Sequence, residues 1–248
     1  MFRYFLEVAY KGTRHAGFQV QQNATTIQGE INRSLAILFR QPVTTTGSSR
    51  TDAGVHARQN FLHLDLSQPF PAEWIYKINA ILPPEIALKA VHPVPPAAHA
   101  RFSATARSYR YRLYQVKDPF LKEVGYFFPY PLALEALVEV AALLPAYRDY
   151  QSFSKRNSQV KTHQCTIQEA SWQWQGAELH FTITANRFLR GMVRGLVATM
   201  LQVGRGKLDV QAFRALLEQK QTGLADFSAP AQGLVLERVH YPPGLLAS

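Results

Sequence analysis

The chain has 248 residues, 47% of them hydrophobic, and its 27 Lys+Arg against 17 Asp+Glu give a formal net charge of +10. That is enough apolar material for one large domain or two modest ones, and the charge balance points to a polyanionic partner, nucleic acid being the commonest. A single cysteine, Cys165, excludes an internal disulfide framework and a multi-thiolate zinc site, and fits a reducing, cytoplasmic setting.

Arg3 and Glu7 interrupt the first apolar run, so a signal peptide is not expected there, and no stretch is long enough to span a bilayer. Phe2–Tyr10 alternates as a strand, and Lys11–Gln22 is a Gly-rich polar loop. Thr26 can cap a helix over Ile27–Phe39, whose Ile27, Ile31, Leu35 and Leu38 share one face. Strands follow at Thr44–Thr46 and Asn60–Leu66, then a helix over Ala72–Leu82 stopped by Pro83 and Pro84, then a strand at Ile86–Val91. The order β-α-β-β-α-β is the split βαβ, or ferredoxin-like, plan. Val91–Ala100, with three prolines, reads as a connection, dividing the chain into halves at residues 1–100 and 101–248. In the second half a strand at Ala106–Val116 precedes a helix over Leu132–Leu144 and a hairpin-like pair at Cys165–Trp174 and Leu179–Ala185. Helices over Phe188–Val203 and Val210–Leu217 and a closing strand at Leu234–Val239 complete it. The fold class is α+β with largely antiparallel sheets.

Three of these segments carry chemistry. Residues 47–56 read Gly-Ser-Ser-Arg-Thr-Asp-Ala-Gly-Val-His. Asp52 followed two residues later by Gly54 makes a tight turn that projects a carboxylate able to act as nucleophile or base. Arg50 is placed to pair with it and hold it ionised. Taken alone, the same turn is better explained by an Asp that caps the next segment. On the strand after Ala106, period two places Arg107, Tyr109, Tyr111 and Leu113 on one face and Ser108, Arg110, Arg112 and Tyr114 on the other. Tyrosines among arginines suit base stacking with phosphate contacts, although Tyr111 reads better as a core residue with a satisfied hydroxyl. In Phe188–Val203, Arg187, Arg190 and Arg194 fall along one side, beside Gly191, Gly195 and Ala198, which admit another backbone closely.

Charge is also clustered. No acidic residue occurs between Glu85 and Asp118 or between Glu178 and Asp209, and Lys155, Arg156 and Lys161 form a third basic cluster. Such stretches suit a long phosphate-tracking surface. The dinucleotide glycine fingerprint, the Walker A loop and the zinc-deaminase His-x-Glu with its Cys pair do not occur, and Asp52 has no acidic neighbour before Asp65.

Arg50-Thr-Asp-Ala-Gly-Val-His56 resembles the catalytic signature of the TruA-type tRNA pseudouridine synthases, and the resemblance runs nearly the full chain. Tyr10–Thr13 with Gly17–Gln21, His99–Tyr111, Phe188–Arg194, and Gly233–Leu236 with Tyr241-Pro242 are similar to that family's other motifs. The resemblance implies an isomerase that converts uridine to pseudouridine in the anticodon stem-loop of tRNA, without metal or organic cofactor. It implies Asp52 as the essential aspartate, Tyr109 as the active-site tyrosine and Arg194 as the basic partner of the aspartate. Arg50 would help open the stem and occupy the vacated base position, and Leu234 would contact the target uracil. Arg58, Arg101, Arg107, Arg110, Arg112 and Arg190 are the further expected RNA contacts. The implied fold is two ferredoxin-like halves joined side by side around a basic cleft, in a cytoplasmic homodimer with no membrane association. Ser48, Ser49, Lys11 and Phe18 depart from the family pattern, and none of them removes a catalytic group. The chemistry breaks the N1–C1′ bond, rotates the uracil and joins C5 to C1′. A carboxylate serves it either by covalent addition or by removing a C2′ proton, and the sequence leaves both open.

Overall fold

The computed structural model describes residues 1–156 and 160–246. In chain order the elements are β1 (Phe2–Tyr10), α1 (Ile27–Phe39), β2 (Thr46–Gly47), β3 (His56–Leu66), α2 (Trp74–Ile81) and β4 (Ile86–Val94). They continue with β5 (Ala106–Tyr114), β6 (Tyr126–Phe127), α3 (Leu134–Leu143), β7 (Ile167–Gln175), β8 (Glu178–Ala185), α4 (Met192–Gly204), α5 (Val210–Glu218) and β9 (Leu234–His240). Contacts divide the chain into one unit of Met1–Ala106 with everything from Val235 onward, and another of Arg107–Leu234.

In the first unit β1 lies between β4 and β3, antiparallel to both, and β2 pairs with β3. A strand with neighbours on both sides must bury side chains on both faces. Tyr4, Phe5, Leu6 and Val8 accordingly all leave solvent. On one face Phe5 and Phe61 hold the ring of Tyr241, with centroids 5.3 and 5.2 Å away. The Tyr241 hydroxyl donates to the Ala100 carbonyl. Helix α1 forms where its cap and apolar spacing require it. Thr26 Oγ1 accepts the Gly29 N–H, and Ile27, Ile31 and Leu35 are buried at four-residue intervals. Helix α2 ends at Leu82, which is extended because Pro83 follows it.

In the second unit β5 pairs antiparallel with β8 and β8 with β7, while the two residues of β6 run parallel to β5. Helix α3 packs against β7, α4 and α5. Helix α4 is apolar nearly all round, burying Met192, Val193, Leu196, Val197, Met200 and Leu201.

Four sequence expectations change. Strand β3 starts at His56 rather than Asn60, because His56 and Ala57 pair in parallel with Val235 and Leu236 of β9. That partner is nearly 180 residues away and leaves no local trace. By the same pairing, the chain from Val235 onward groups with Met1–Ala106 in the first unit, where the halves were expected to divide at residue 100. Strand β4 runs on through Pro93 to Val94 where a connection was expected. It lies at the end of the strand order, where a missing N–H is tolerated. Helix α4 starts at Met192, not Phe188, because Gly191 takes φ 73° at its N-cap. Arg187 and Arg190 therefore precede the helix, and only Arg194 of the three arginines rides on it.

Candidate active site

The loop carrying Asp52 is held from below by the end of β1 and by the Gly-rich loop after it. Asp52 C=O accepts the Val55 N–H at 3.1 Å, closing a turn whose third residue, Gly54, has φ 80°. Gly12 donates its N–H to His56 Nδ1, and a Cβ on Gly12 would overlap the Val55 carbonyl oxygen. Gly17 also lies close, though less tightly, its missing Cβ 3.0 Å from the Thr51 oxygen and 3.3 Å from the Ala53 nitrogen. Phe18 N–H donates to that Thr51 oxygen, and the Phe18 ring fills the space beside Gly47.

Beneath the turn is a closed polar network. The Thr51 hydroxyl shares a 2.9 Å hydrogen bond with the Tyr10 hydroxyl. Asn60 Nδ2 donates to Tyr10 Oη and to the Ser49 carbonyl, and Asn60 Oδ1 accepts from Ser48 Oγ at 2.7 Å. Asn60 is fully buried, and burial pushes the Tyr10 hydroxyl up to about 12, so it stays protonated as a hydrogen-bonding pin. Such a network fixes backbone position because every member lost leaves a buried partner unsatisfied. Alternation along the loop does the rest. Thr51 turns inward, Arg50 is exposed, and Asp52 is half-buried above the network.

Arg50 makes no ion pair with Asp52, contrary to the expected pairing two residues apart; with Thr51 turned inward, Arg50 is left in solvent. Within its own unit the Asp52 carboxylate has no hydrogen-bond or ion-pair partner among the described residues. Tyr10, Thr51, His56 and Asn60 serve as scaffold, a role that spacing along the chain does not show. The available signal was a polar Asn60 at the head of the apolar run Phe61-Leu62-His63-Leu64.

In the second unit Tyr109 is buried, with Phe188 edge-on to its ring at 5.0 Å. Tyr111 is core, as expected, its hydroxyl donating to the Pro230 carbonyl at 2.7 Å. Arg194 is half-buried on α4, and its Nε donates to the Ala229 carbonyl at 2.6 Å. Two adjacent carbonyls, Ala229 and Pro230, are thus tied to α4 and β5 just before Leu234, itself buried. Burial raises the thiol of Cys165 to about 11, which leaves it unreactive at neutral pH.

A family model described as tRNA pseudouridine synthase matches residues 7–103 and 144–242. A protein named tRNA pseudouridine synthase A from Parabacteroides distasonis is 45% identical over 250 residues, covering 99% of this chain and 98% of that one. Proteins of the same name from Porphyromonas gingivalis and Bacteroides fragilis are 44% and 43% identical, over 99% and 97% of this chain and 99% and 96% of theirs. The chain belongs to the tRNA pseudouridine synthase family.

The segments matched to the family include Arg50, Asp52, Arg58, Arg101, Arg190, Arg194 and Leu234, while Tyr109 and its strand fall between them. Several expected RNA contacts of this synthase-family chain have partners inside the protein. Arg112 pairs with Glu178 at 2.8 Å, which also holds buried His180. Burial is the main reason the His180 imidazole is held below its ordinary pKa. Arg107 donates to the Asn186 carbonyl, Arg58 lies 3.7 Å from Glu237, and Arg101 stacks over the Phe102 ring at 5.6 Å. Arg110 is half-buried beside Arg112. Phe18, one of the departures from the family pattern, is a buried core ring. Among the described residues no helix is long and apolar enough to cross a membrane.

Proposed function

We propose that this chain isomerises uridine to pseudouridine in the anticodon stem-loop of tRNA, with the Asp52 carboxylate as its reactive group and no cofactor. The observation that carries the reading is a half-buried carboxylate without a partner in its unit, on a rigidly hydrogen-bonded turn, in a chain of this family. A rigid turn matters because a carboxylate displaced by about 1 Å loses much of its advantage toward a bound sugar or base.

In this reading Tyr109 stacks on the flipped uracil and Leu234 covers its edge. Arg194 is the basic partner of the Asp52 carboxylate. Its Nε bond to Ala229 orients the guanidinium and leaves its terminal nitrogens for a carboxylate. Arg50, exposed beside the turn, enters the RNA stem as the base leaves. Extruding the base costs a few kcal/mol, offset by stacking and phosphate contacts. Arg58, Arg101, Arg107, Arg110, Arg112 and Arg190 contribute charge toward the backbone, those with internal partners least. During the reaction N1–C1′ breaks, C5–C1′ forms, the C5 hydrogen departs as a proton and N1 takes one up, so substrate and product are isomers. Both units are read as split βαβ halves, supported in the first by β1 between β4 and β3 with β2 on β3. The same reading makes tRNA the partner, a homodimer the assembly and the cytoplasm the compartment.

Release of tritium from tRNA carrying 5-tritiated uridine tests it directly. Wild type should release tritium, and Asp52→Asn should release none while binding tRNA with affinity within a few-fold of wild type. Release by the Asn variant would remove Asp52 from its role, and no release by wild type would leave only an RNA-binding protein.

A further inference from the structure

Four cations of the second unit, Lys155, Arg156, Arg187 and Arg190, make no ion pair among the described residues. Two of the segments carrying them are joined directly, since Lys155 N–H donates to the Arg190 carbonyl at 3.3 Å. Lys155 is not a lysine swinging in solvent. Its stem crosses Gly191, where a Cβ would lie 3.0 Å from both its Cγ and its Cε. Its ammonium lies over the Phe227 ring, 6.0 Å from the centre, and that ring fills the space a side chain at Gly195 would take. Stem burial plus a ring under the head fixes where the charge sits and lowers the entropy lost when it meets an anion.

The location supplies the second half of the argument. Phe188, two residues before Arg190, is the ring packed edge-on against Tyr109. The segment Arg187–Gly191 thus runs from the tyrosine read as the base platform to the fixed ammonium. Cations without ion-pair partners keep their full charge for an anion, and a phosphodiester backbone supplies one.

We propose that Lys155 is a positioning residue that holds an RNA phosphodiester next to the nucleotide stacked on Tyr109, with Arg190 taking the adjoining phosphate. The proposal rests on tRNA being the substrate. Lys155→Met separates charge from packing, because methionine keeps an aliphatic stem on Gly191. Binding of full-length tRNA is measured for wild type, Lys155→Met and Lys155→Arg across a salt series, alongside KM and kcat for tritium release. The Met variant should bind about five-fold more weakly at low salt, with a log K against log salt slope shallower by about 0.7–0.9, the share of one phosphate. KM should rise more than kcat falls, and arginine should restore most of both. An unchanged slope, or an arginine variant as impaired as methionine, overturns the proposal. Wild type that binds tRNA but releases no tritium overturns the isomerase reading instead, and the slope comparison still decides the role of Lys155.

Discussion

Single side chains decide whether the Asp52 turn holds. Thr51, Tyr10 and Asn60 form one network, and none of the three reacts with anything in the proposed chemistry. A different residue-level constraint lies at the far end of β3. His63 is buried, its Nδ1 accepts the Ala100 N–H, and its ring meets His99 at 4.6 Å. Burial first, then the charges of His99 and Arg3, hold its pKa down to about 4, with Asp65 opposing. Between the unfolded value near 6.5 and about 4, the unfolded chain takes up a proton that the folded one refuses. This group therefore contributes full stability above about pH 6.5 and loses it as pH falls toward 4, by up to about 3 kcal/mol. Urea unfolding at pH 7 and 4.5 should show a larger loss for wild type than for His63→Asn, which keeps an acceptor for Ala100 without a titrating ring. Equal losses would assign the acid sensitivity elsewhere.

At the scale of elements, local pattern was a good guide where local forces decide the outcome. Strand β1 and helix α1 fall where alternation and the Thr26 cap place them. The Asp52 turn was equally legible, because Asp-x-Gly needs only its own backbone geometry. The start of α4 was not, since Gly191 could continue an apolar helical run or stop it. Its positive φ, with the Lys155 stem across it, settled the boundary at Met192. The loop after β1 is the element most exposed to a single added methyl. Gly12→Ala would drive a Cβ into the Val55 carbonyl, with backbone on both sides and no flexible group to yield. The expected outcome is a loss of more than ten-fold in tritium release, with global unfolding shifted by about 1–3 kcal/mol. A variant as active as wild type would show that the loop accommodates the methyl, and that the turn is less rigid than its hydrogen bonds indicate.

For the molecule as a whole, the C-terminal segment is as much a part of the first unit as β1. Val239 N–H donates to Gln59 Oε1, and Tyr241 sits on Phe5 and Phe61 with its hydroxyl on Ala100. Tyr241→Ala removes a partly buried ring and one hydrogen bond, so it should destabilise the first unit by about 2–4 kcal/mol. Hydrogen exchange should show the loss in β1 and β3 with α3 and β7 little changed. A uniform change, or none, would contradict the assignment of this segment to the first unit.

Family, motif and most elements were determined by the sequence itself, because caps, alternation, turn glycines and acid-free charge runs act over a few residues. Tertiary structure alone decided that Asn60 braces the Asp52 turn, that Arg112 is spent on Glu178, and that Lys155 lies fixed across Gly191. It also decided that β9 joins β3 and extends it back to His56. These are contacts between residues far apart in the chain, and strand register and packing, not spacing, determine which distant groups meet.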